Sequence, residues 1–345
     1  MRILLYPFSL VYGFIVLIRN GLFHFGLFKS RTFPIPLIGI GNLRVGGTGK
    51  TPMTEYVIRQ LSPDFQLAVL SRGYGRKTKG FILADSNMNS LEIGDEPSQI
   101  LNKYKNVQVA VDADRVNGVK RLLEVKPEVE IILLDDVFQH RSIKPGLMIL
   151  LTAFNDLYID DLLLPAGRLR EQKFGAKRAD IIVVTKCPSD ISVFDMRSIA
   201  QRLNPESYQN LLFSSEHYGT PYAITKTNFT SINESKIYLM TGIANASGLF
   251  EYLNATNEII SHFDAGDHYW FTESDFNEAA DLISDSGVIV TTEKDAQRII
   301  PYLDQPLISK LPIFVIPVET NFLGSYSTQI NQLIHDFIRS YSRNS

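Results

Sequence analysis

The chain has a single cysteine, Cys187, among 345 residues. That excludes an intrachain disulfide framework, and six scattered histidines leave no cysteine-rich zinc site to assemble. A reducing compartment follows. Internal repeats and low-complexity runs are also missing, so solenoid and linker-like architectures are excluded. Residues 1 to 54 lack Asp and Glu altogether while carrying Arg2, Arg19, Lys29, Arg31, Arg44 and Lys50. That segment is therefore +6, the remainder −9, and the whole −3. A basic end on an acidic body points that end toward an anionic surface. Neither nucleic acid nor an obligate protein partner is expected.

What the chain does have, between those early charges, is an uncharged apolar run from Ile3 to Ile18, ILLYPFSLVYGFIVLI. As helix it reaches about 24 Å at ~1.5 Å per residue, short of the roughly 20 residues that usually span hydrocarbon. No small-residue cleavage site follows, which disfavours a signal peptide. Apolar side chains on all sides disfavour a buried core helix. The expectation is a retained membrane anchor over 1–31, with Arg19, Lys29 and Arg31 at the headgroups.

After Pro34 and Pro36 the pattern alternates between strands and helices, the mark of an α/β sheet with mostly parallel strands. Buried strands are expected at 36–41, 66–71, 107–111, 130–136, 147–152 and 180–186. A second series occupies 236–244, 287–296 and 313–319. The Ser-, Asn-, Pro- and Thr-rich stretch 187–235 is expected to connect the two. The division is a core domain at 32–210 and a smaller C-terminal α/β unit at 211–345.

The chemistry begins at IGNLRVGGTGKTP, residues 40–52. Gly46, Gly47 and Gly49 let backbone amides approach an anion closely, and a helix opening near Thr51 turns its dipole toward the same place. Lys50 then reaches the terminal phosphates and the Thr51 hydroxyl ligates magnesium. The nucleotide-binding set is Arg44, Val45, Gly46, Gly47, Thr48, Gly49, Lys50 and Thr51. Arg44 stands where the standard loop has its first glycine, either adding a cation near the phosphates or lying exposed. EIILLDDVFQH supplies the second element, an apolar strand ending in Asp135 and Asp136. Loop and strand together imply a P-loop NTPase-like fold using ATP and Mg2+.

Taken together, PFSLVYGFIVLIRN, VGGTGKTP, SRGYGR, GDEP, DDVFQH, LLPAGRLRE, DHYWF and TTEKDA resemble, in order, the tetraacyldisaccharide 4'-kinase family. The resemblance covers nearly the whole chain. It implies transfer of the γ-phosphate of ATP to the 4'-hydroxyl of a tetraacyldisaccharide 1-phosphate, a lipid A precursor, at the cytoplasmic face of the inner membrane. By similarity Asp95 of GDEP is the base, helped by His268, and Thr51, Asp135 and Glu171 hold the metal. Arg170, with Arg168, neutralises the transferring phosphoryl group. Asp136, Gln139, His140, Tyr74 and Glu96 support the site or touch substrate.

Read without the family, Asp95 is equally a helix cap, His268 a packed histidine, and Arg168 and Arg170 solvated loop charges. Two positions depart from the family pattern, Val137 where glycine is usual and Tyr269 where a second histidine is frequent. A GTPase or ATPase switch of the metal-insertion or partitioning type is the rival, and a scaffold with a vestigial site the second. TKCP at 185–188 lacks the Asn-Lys-x-Asp of a guanine reader, which disfavours GTP.

Overall fold

A computed structural model describes residues 2–233, 235–283 and 287–342. The chain opens with helix α1 (Arg2–His24) and enters β1 (Leu37–Asn42), buried along its whole length. Next come α2 (Lys50–Leu61), β2 (Leu67–Ser71), β3 (Ile82–Leu83), α3 (Ser90–Ile93), α4 (Asp95–Lys103) and β4 (Gln108–Val111). They are followed by α5 (Arg115–Val125), β5 (Ile131–Leu134), β6 (Leu147–Ala153), β7 (Ile181–Thr185), α6 (Val193–Leu203) and β8 (Asn210–Tyr218). Unbroken apolar runs such as IILL and IIVVT form the central strands, because helices cover both faces of a parallel sheet.

A second series then runs through β9 (Tyr222–Ala223), β10 (Lys236–Thr241), α7 (Ser247–Asn254), β11 (Glu258–Asp264) and α8 (Glu273–Ile283). It continues with β12 (Gly287–Thr292), α9 (Glu293–Ile299) and β13 (Ile313–Ile316). β14 (Val318–Phe322) and α10 (Tyr326–Ser342) close the chain.

The strands make a nine-stranded sheet in the order β14-β8-β7-β6-β1-β5-β2-β4-β3 and a five-stranded sheet in the order β11-β10-β12-β13-β9. Among the described residues the antiparallel strand pairs are β3 with β4, β14 with β8 and β9 with β13. In the large sheet β1 lies between β6 and β5, parallel to both. That arrangement sets the loop after β1 beside the carboxyl end of β5, where ligands gather in such sheets. The α/β class and the mostly parallel sheet read from the sequence hold.

The sheets divide the chain differently from the cut expected at 210/211. β8 belongs to the large sheet, and so do β14 and α10, which return after the small sheet is complete. The crossing is at Pro317, inside the stretch IFVIPVE that reads as one strand. Without an amide proton a proline interrupts a ladder, and here it separates β13 of one sheet from β14 of the other. The stretch 187–235 likewise contains α6 and β8 and is no simple connection.

The amphipathic placement of α1 is set by one narrow stripe. Ser9, Gly13, Val16 and Asn20 are buried against the body of the protein, whereas Leu10, Val11, Phe14 and Ile15 are each about 60% exposed. Ser9 Oγ donates to the Leu163 carbonyl at 2.9 Å and accepts from the Ala166 amide at 2.9 Å. Tyr12 donates to the Arg170 carbonyl at 2.8 Å. The helix is long and apolar enough to cross a membrane by length and composition.

Candidate active site

The phosphate-binding loop is built by backbone shape. Gly46 (φ 114) and Gly49 (φ 82) take left-handed conformations that a side chain would strain, and Gly49 caps α2, which begins at Lys50. The first amides of α2 therefore have no helical acceptor and face the loop. Asn42, the last residue of β1, donates to Thr48 Oγ1 at 2.6 Å, and Thr185 at the end of β7 donates to the Thr48 carbonyl at 2.9 Å. The loop is thus held from both neighbouring strands.

Arg44 corrects the sequence expectation. It is neither exposed nor turned toward the loop: its side chain is 3% exposed and pairs with Asp156 and, at 2.9 Å, with Asp161. Its backbone forms an antiparallel bridge with Leu169, flanked by Val45 N donating to the Arg168 carbonyl and Arg170 N donating to the Leu43 carbonyl, both at 2.8 Å. An extended position of this kind has no need of glycine. Arg168 is half-exposed and pairs with Asp156 at 2.8 Å.

Asp136 collects the cations of the site. Arg170 grips it with a fork, Nη1 to Oδ2 at 3.0 Å and Nη2 to Oδ1 at 3.1 Å, and Lys50 Nζ stands 3.7 Å from Oδ1. Burial alone would raise its pKa, but Lys50 and Arg170 outweigh burial and bring it down to about 2. Asp136 itself adopts the left-handed conformation after β5 (φ 45), so Val137 avoids it and is buried, its amide donating to Ile40. The departure at Val137 is absorbed in this way.

Asp135 behaves oppositely. Burial first, then the charges of Asp136 and Glu96, push it up to about 6 against the pull of Lys50 and Arg115. Its side chain accepts a hydrogen bond from Ser71 Oγ at 3.2 Å. A buried carboxylate at the carboxyl end of β5, within the field of Lys50, suits a hard cation bound through oxygen. Among the described residues no group of three His, Cys, Asp or Glu could enclose a metal ion. Such a donor set fits magnesium, which keeps water and phosphate oxygens in its shell.

Glu171 sits elsewhere. Both of its oxygens accept from Arg178 at 2.9 and 2.8 Å, and Gln139 and Asn20 add further donors at 3.1 Å each. With four hydrogen bonds it is a tie between α1, the DDVFQH turn and the loop bearing Arg170, not an open ligand. Gln139 also donates to the Asn42 carbonyl at 2.9 Å, linking that tie to the end of β1. His140 is held neutral, burial and the neighbouring Arg115 lowering its pKa to about 4.

The second cluster joins the two sheets. Asp95 opens α4 of the large unit behind Gly94, whose φ of 96 and close approach to the Tyr74 carbonyl leave no room for a side chain. Asp95 Oδ2 lies 3.2 Å from His268 Nδ1 and accepts from Arg298 Nε at 3.0 Å and Nη2 at 2.6 Å. The carboxylate is therefore committed to side chains of the small unit, not to capping α4. Burial raises its pKa, but the His268 and Arg298 hydrogen bonds prevail and leave it below its usual value.

His268 is likewise no simple packed histidine. It takes a left-handed backbone conformation (φ 63), its ring lies 5.1 Å from that of Tyr74, and Lys294 Nζ is 3.4 Å from Nε2. Lys294 also lies 3.4 Å from Glu96. Tyr269 packs with Phe263 and Phe271 and donates to Asp275 at 3.2 Å, so the second departure belongs to the small unit's core.

Sequence reading missed Arg298, Asn42, Lys294 and Ser71. Arg298 stands just past TTEKDA, three residues after Asp295, whose Oδ1 it meets at 3.1 Å. That i,i+3 spacing on a helix start was the available signal.

Known proteins resemble the chain along its length. The family model described as LpxK: Tetraacyldisaccharide-1-P 4'-kinase matches residues 1–338. Curated tetraacyldisaccharide 4'-kinases include one from Bacteroides fragilis, 45% identical over 355 residues, covering 99% of this chain and 94% of the relative. Another, from Flavobacterium psychrophilum, is 42% identical over 348 residues, covering 100% and 99%. The crystal structure of LpxK from Aquifex aeolicus in complex with ATP superposes with a TM-score of 0.76 at 26% identity, covering 98% of this chain and 99% of that one. A family model matching residues 1–338, with curated relatives 42–45% identical along essentially the whole chain, means that the chain belongs to the tetraacyldisaccharide-1-P 4'-kinase family.

Proposed function

We propose that the protein transfers the γ-phosphoryl group of ATP to the 4'-hydroxyl of a tetraacyldisaccharide 1-phosphate, a step of lipid A biosynthesis, at the cytoplasmic face of the inner membrane. The observation that carries this reading is the Asp95–His268 contact at 3.2 Å, made between the two units in a protein that also holds a complete phosphate loop. A hydrolytic switch has no use for a carboxylate committed to a second unit. A kinase needs one to receive the proton of its acceptor.

In this reading the loop amides and Lys50 bind the nucleotide phosphates, and Thr51 and Asp135 hold magnesium, which spreads the charge of the reacting phosphates. Asp136 keeps Lys50 and Arg170 pointed at one place before phosphate oxygens compete for them. Asp95 takes the proton from the 4'-hydroxyl as its oxygen bonds to the γ-phosphorus. The bond from that phosphorus to the bridging oxygen breaks, and its electrons leave with ADP. His268 orients Asp95 through Nδ1, and Tyr74 and Glu96 flank the acceptor side. Arg168 and Arg44 belong to the ion-pair frame around the loop.

The seating of α1 supports a helix lying in one leaflet, since Ser9, Tyr12 and Asn20 tie it lengthwise to the protein. Leu10, Val11, Phe14 and Ile15 then face acyl chains, and burying each contributes about 1.5–3 kcal/mol. The enzyme is thereby brought to a substrate that never leaves the bilayer. The test is an assay in detergent with magnesium, the tetraacylated disaccharide 1-phosphate and ATP labelled in its γ-phosphate. Label in the lipid supports the kinase, and ATP loss without labelled lipid supports the switch.

A further inference from the structure

We propose that Arg298 is the positioning residue of the Asp95 base, a guanidinium clamp from the small unit that fixes one carboxylate oxygen and leaves the other for the acceptor hydroxyl. The inference rests on the reading of Asp95 as base and adds to it the group that aims it.

The geometry is specific. Among the described residues the three side-chain donors to Asp95 converge on Oδ2: His268 Nδ1, Arg298 Nε and Arg298 Nη2. None of these contacts uses Oδ1. Two of the three come from one rigid planar group, which fixes the carboxylate's rotation as a single ammonium could not. Arg298 is itself immobilised, with no exposed surface. Its Nη1 donates to the Gly242 carbonyl at 3.0 Å, to the Tyr269 carbonyl at 3.1 Å and to Asp295 Oδ1 at 3.1 Å. Asp295 in turn accepts from Thr292 Oγ1 at 2.8 Å, the cap of α9.

The clamp also shapes the loop that delivers His268. The His268 amide donates to the same Gly242 carbonyl that accepts from Arg298, at 3.0 Å, and Tyr269 follows directly in the chain. Arg298 thus sets the distance between Asp95 and His268 from behind. The charged neighbours of this pair are Lys294 and Asp267 on the His268 side, Glu96 beside Asp95, and Asp295 behind Arg298. A purely structural arginine would satisfy its carbonyls and Asp295 alone. This one gives its forked edge to the residue that meets substrate.

Arg298→Lys keeps the cation and loses the fork, and Arg298→Gln loses both. In both variants kcat falls roughly 10- to 100-fold while the KM for ATP stays near wild type. The thermal midpoint falls, most in Arg298→Gln, because the buried Asp95 and Asp295 lose their partner, so rates are measured well below it. Asp95 acts ionised, so activity falls as pH drops through its pKa. Loss of the guanidinium raises that pKa, and the acidic limb of the kcat profile moves to higher pH in Arg298→Gln, less in Arg298→Lys. Asp295→Asn, which loosens the clamp without touching Asp95, gives a smaller loss and shift in the same direction and serves if the Arg298 variants fail to fold. A folded variant with wild-type kcat and an unmoved limb overturns the inference, as does a loss expressed mainly in KM for ATP. Asp95→Asn is measured beside them. Full activity there overturns the base reading and this inference with it, whereas loss there with normal Arg298 variants overturns this inference alone.

Discussion

Arg44 Nη2 lies 2.9 Å from Asp161 Oδ2, and the two side chains are 3% and 8% exposed. The residue that breaks the standard phosphate-loop pattern is therefore a buried ion pair holding the loop to the segment 156–170. Removing one partner of such a pair strands the other in low dielectric.

It follows that Arg44→Gly, which restores the standard glycine, weakens the protein. The expected loss is about 3–5 kcal/mol in denaturant unfolding. Arg44→Gly with Asp161→Asn recovers part of it, because the stranded charge is gone. ATP affinity falls only modestly, since the phosphate contacts belong to later residues. A glycine variant as stable as wild type contradicts this.

Placing charge on the outer face of α1 tests the membrane seat more cleanly than deleting it. Deletion would also remove Tyr12 from the Arg170 carbonyl and Asn20 from Glu171, and so disturb the site. The double substitution Leu10→Glu and Phe14→Glu leaves those contacts alone. It loses the burial of two side chains, about 3–6 kcal/mol of membrane affinity. Sedimentation with vesicles is expected to fall while ATP binding persists; unchanged sedimentation rules out this face as the anchor.

Lys103 Nζ lies 2.7 Å from both Glu55 Oε2 and Glu293 Oε1, bridging α2 and α4 of the large unit to α9 of the small one. Glu55 and Glu293 are 0% and 6% exposed. Lys103→Met leaves two buried carboxylates facing each other and costs about 3 kcal/mol or more. Burial and Glu55 already hold the Glu293 pKa above the usual 4.5, and loss of Lys103 raises it further. A carboxylate with a raised folded pKa binds more protons folded than unfolded, so stability falls as pH rises above the unfolded value. The variant is expected to be most stable near about pH 5 and to lose stability toward about pH 8 more steeply than wild type. Parallel pH profiles for the two proteins contradict this.

The parts legible in the sequence are those built from contiguous residues. Gly46 to Thr51 must be adjacent for their amides to surround one anion, and Ile131 to Asp136 must be one strand and its end, so both announce themselves. The register of sheets is not local. NLLFSSEHY reads as a polar connection, yet β8 fills a place between β7 and β14 because neighbours supply its partners. IFVIPVE reads as one strand because nothing in its apolar pattern says that Pro317 divides two sheets. Asp95 and Arg298 are 203 positions apart, and no spacing rule links them. Glu171 reads as a metal ligand by resemblance to the family, and only the fold brings Arg178, Gln139 and Asn20 to it.

The central claim is that Asp95 serves as the base for transfer to a lipid hydroxyl. Its most direct test is the initial rate of tetraacyldisaccharide 1-phosphate phosphorylation by Asp95→Asn, with ATP affinity measured on the same preparation. General-base loss is worth roughly 10²- to 10⁴-fold, and the account predicts a fall in that range with ATP binding retained. Asp95→Asn turnover close to wild type, with label on the lipid 4'-position, would contradict it.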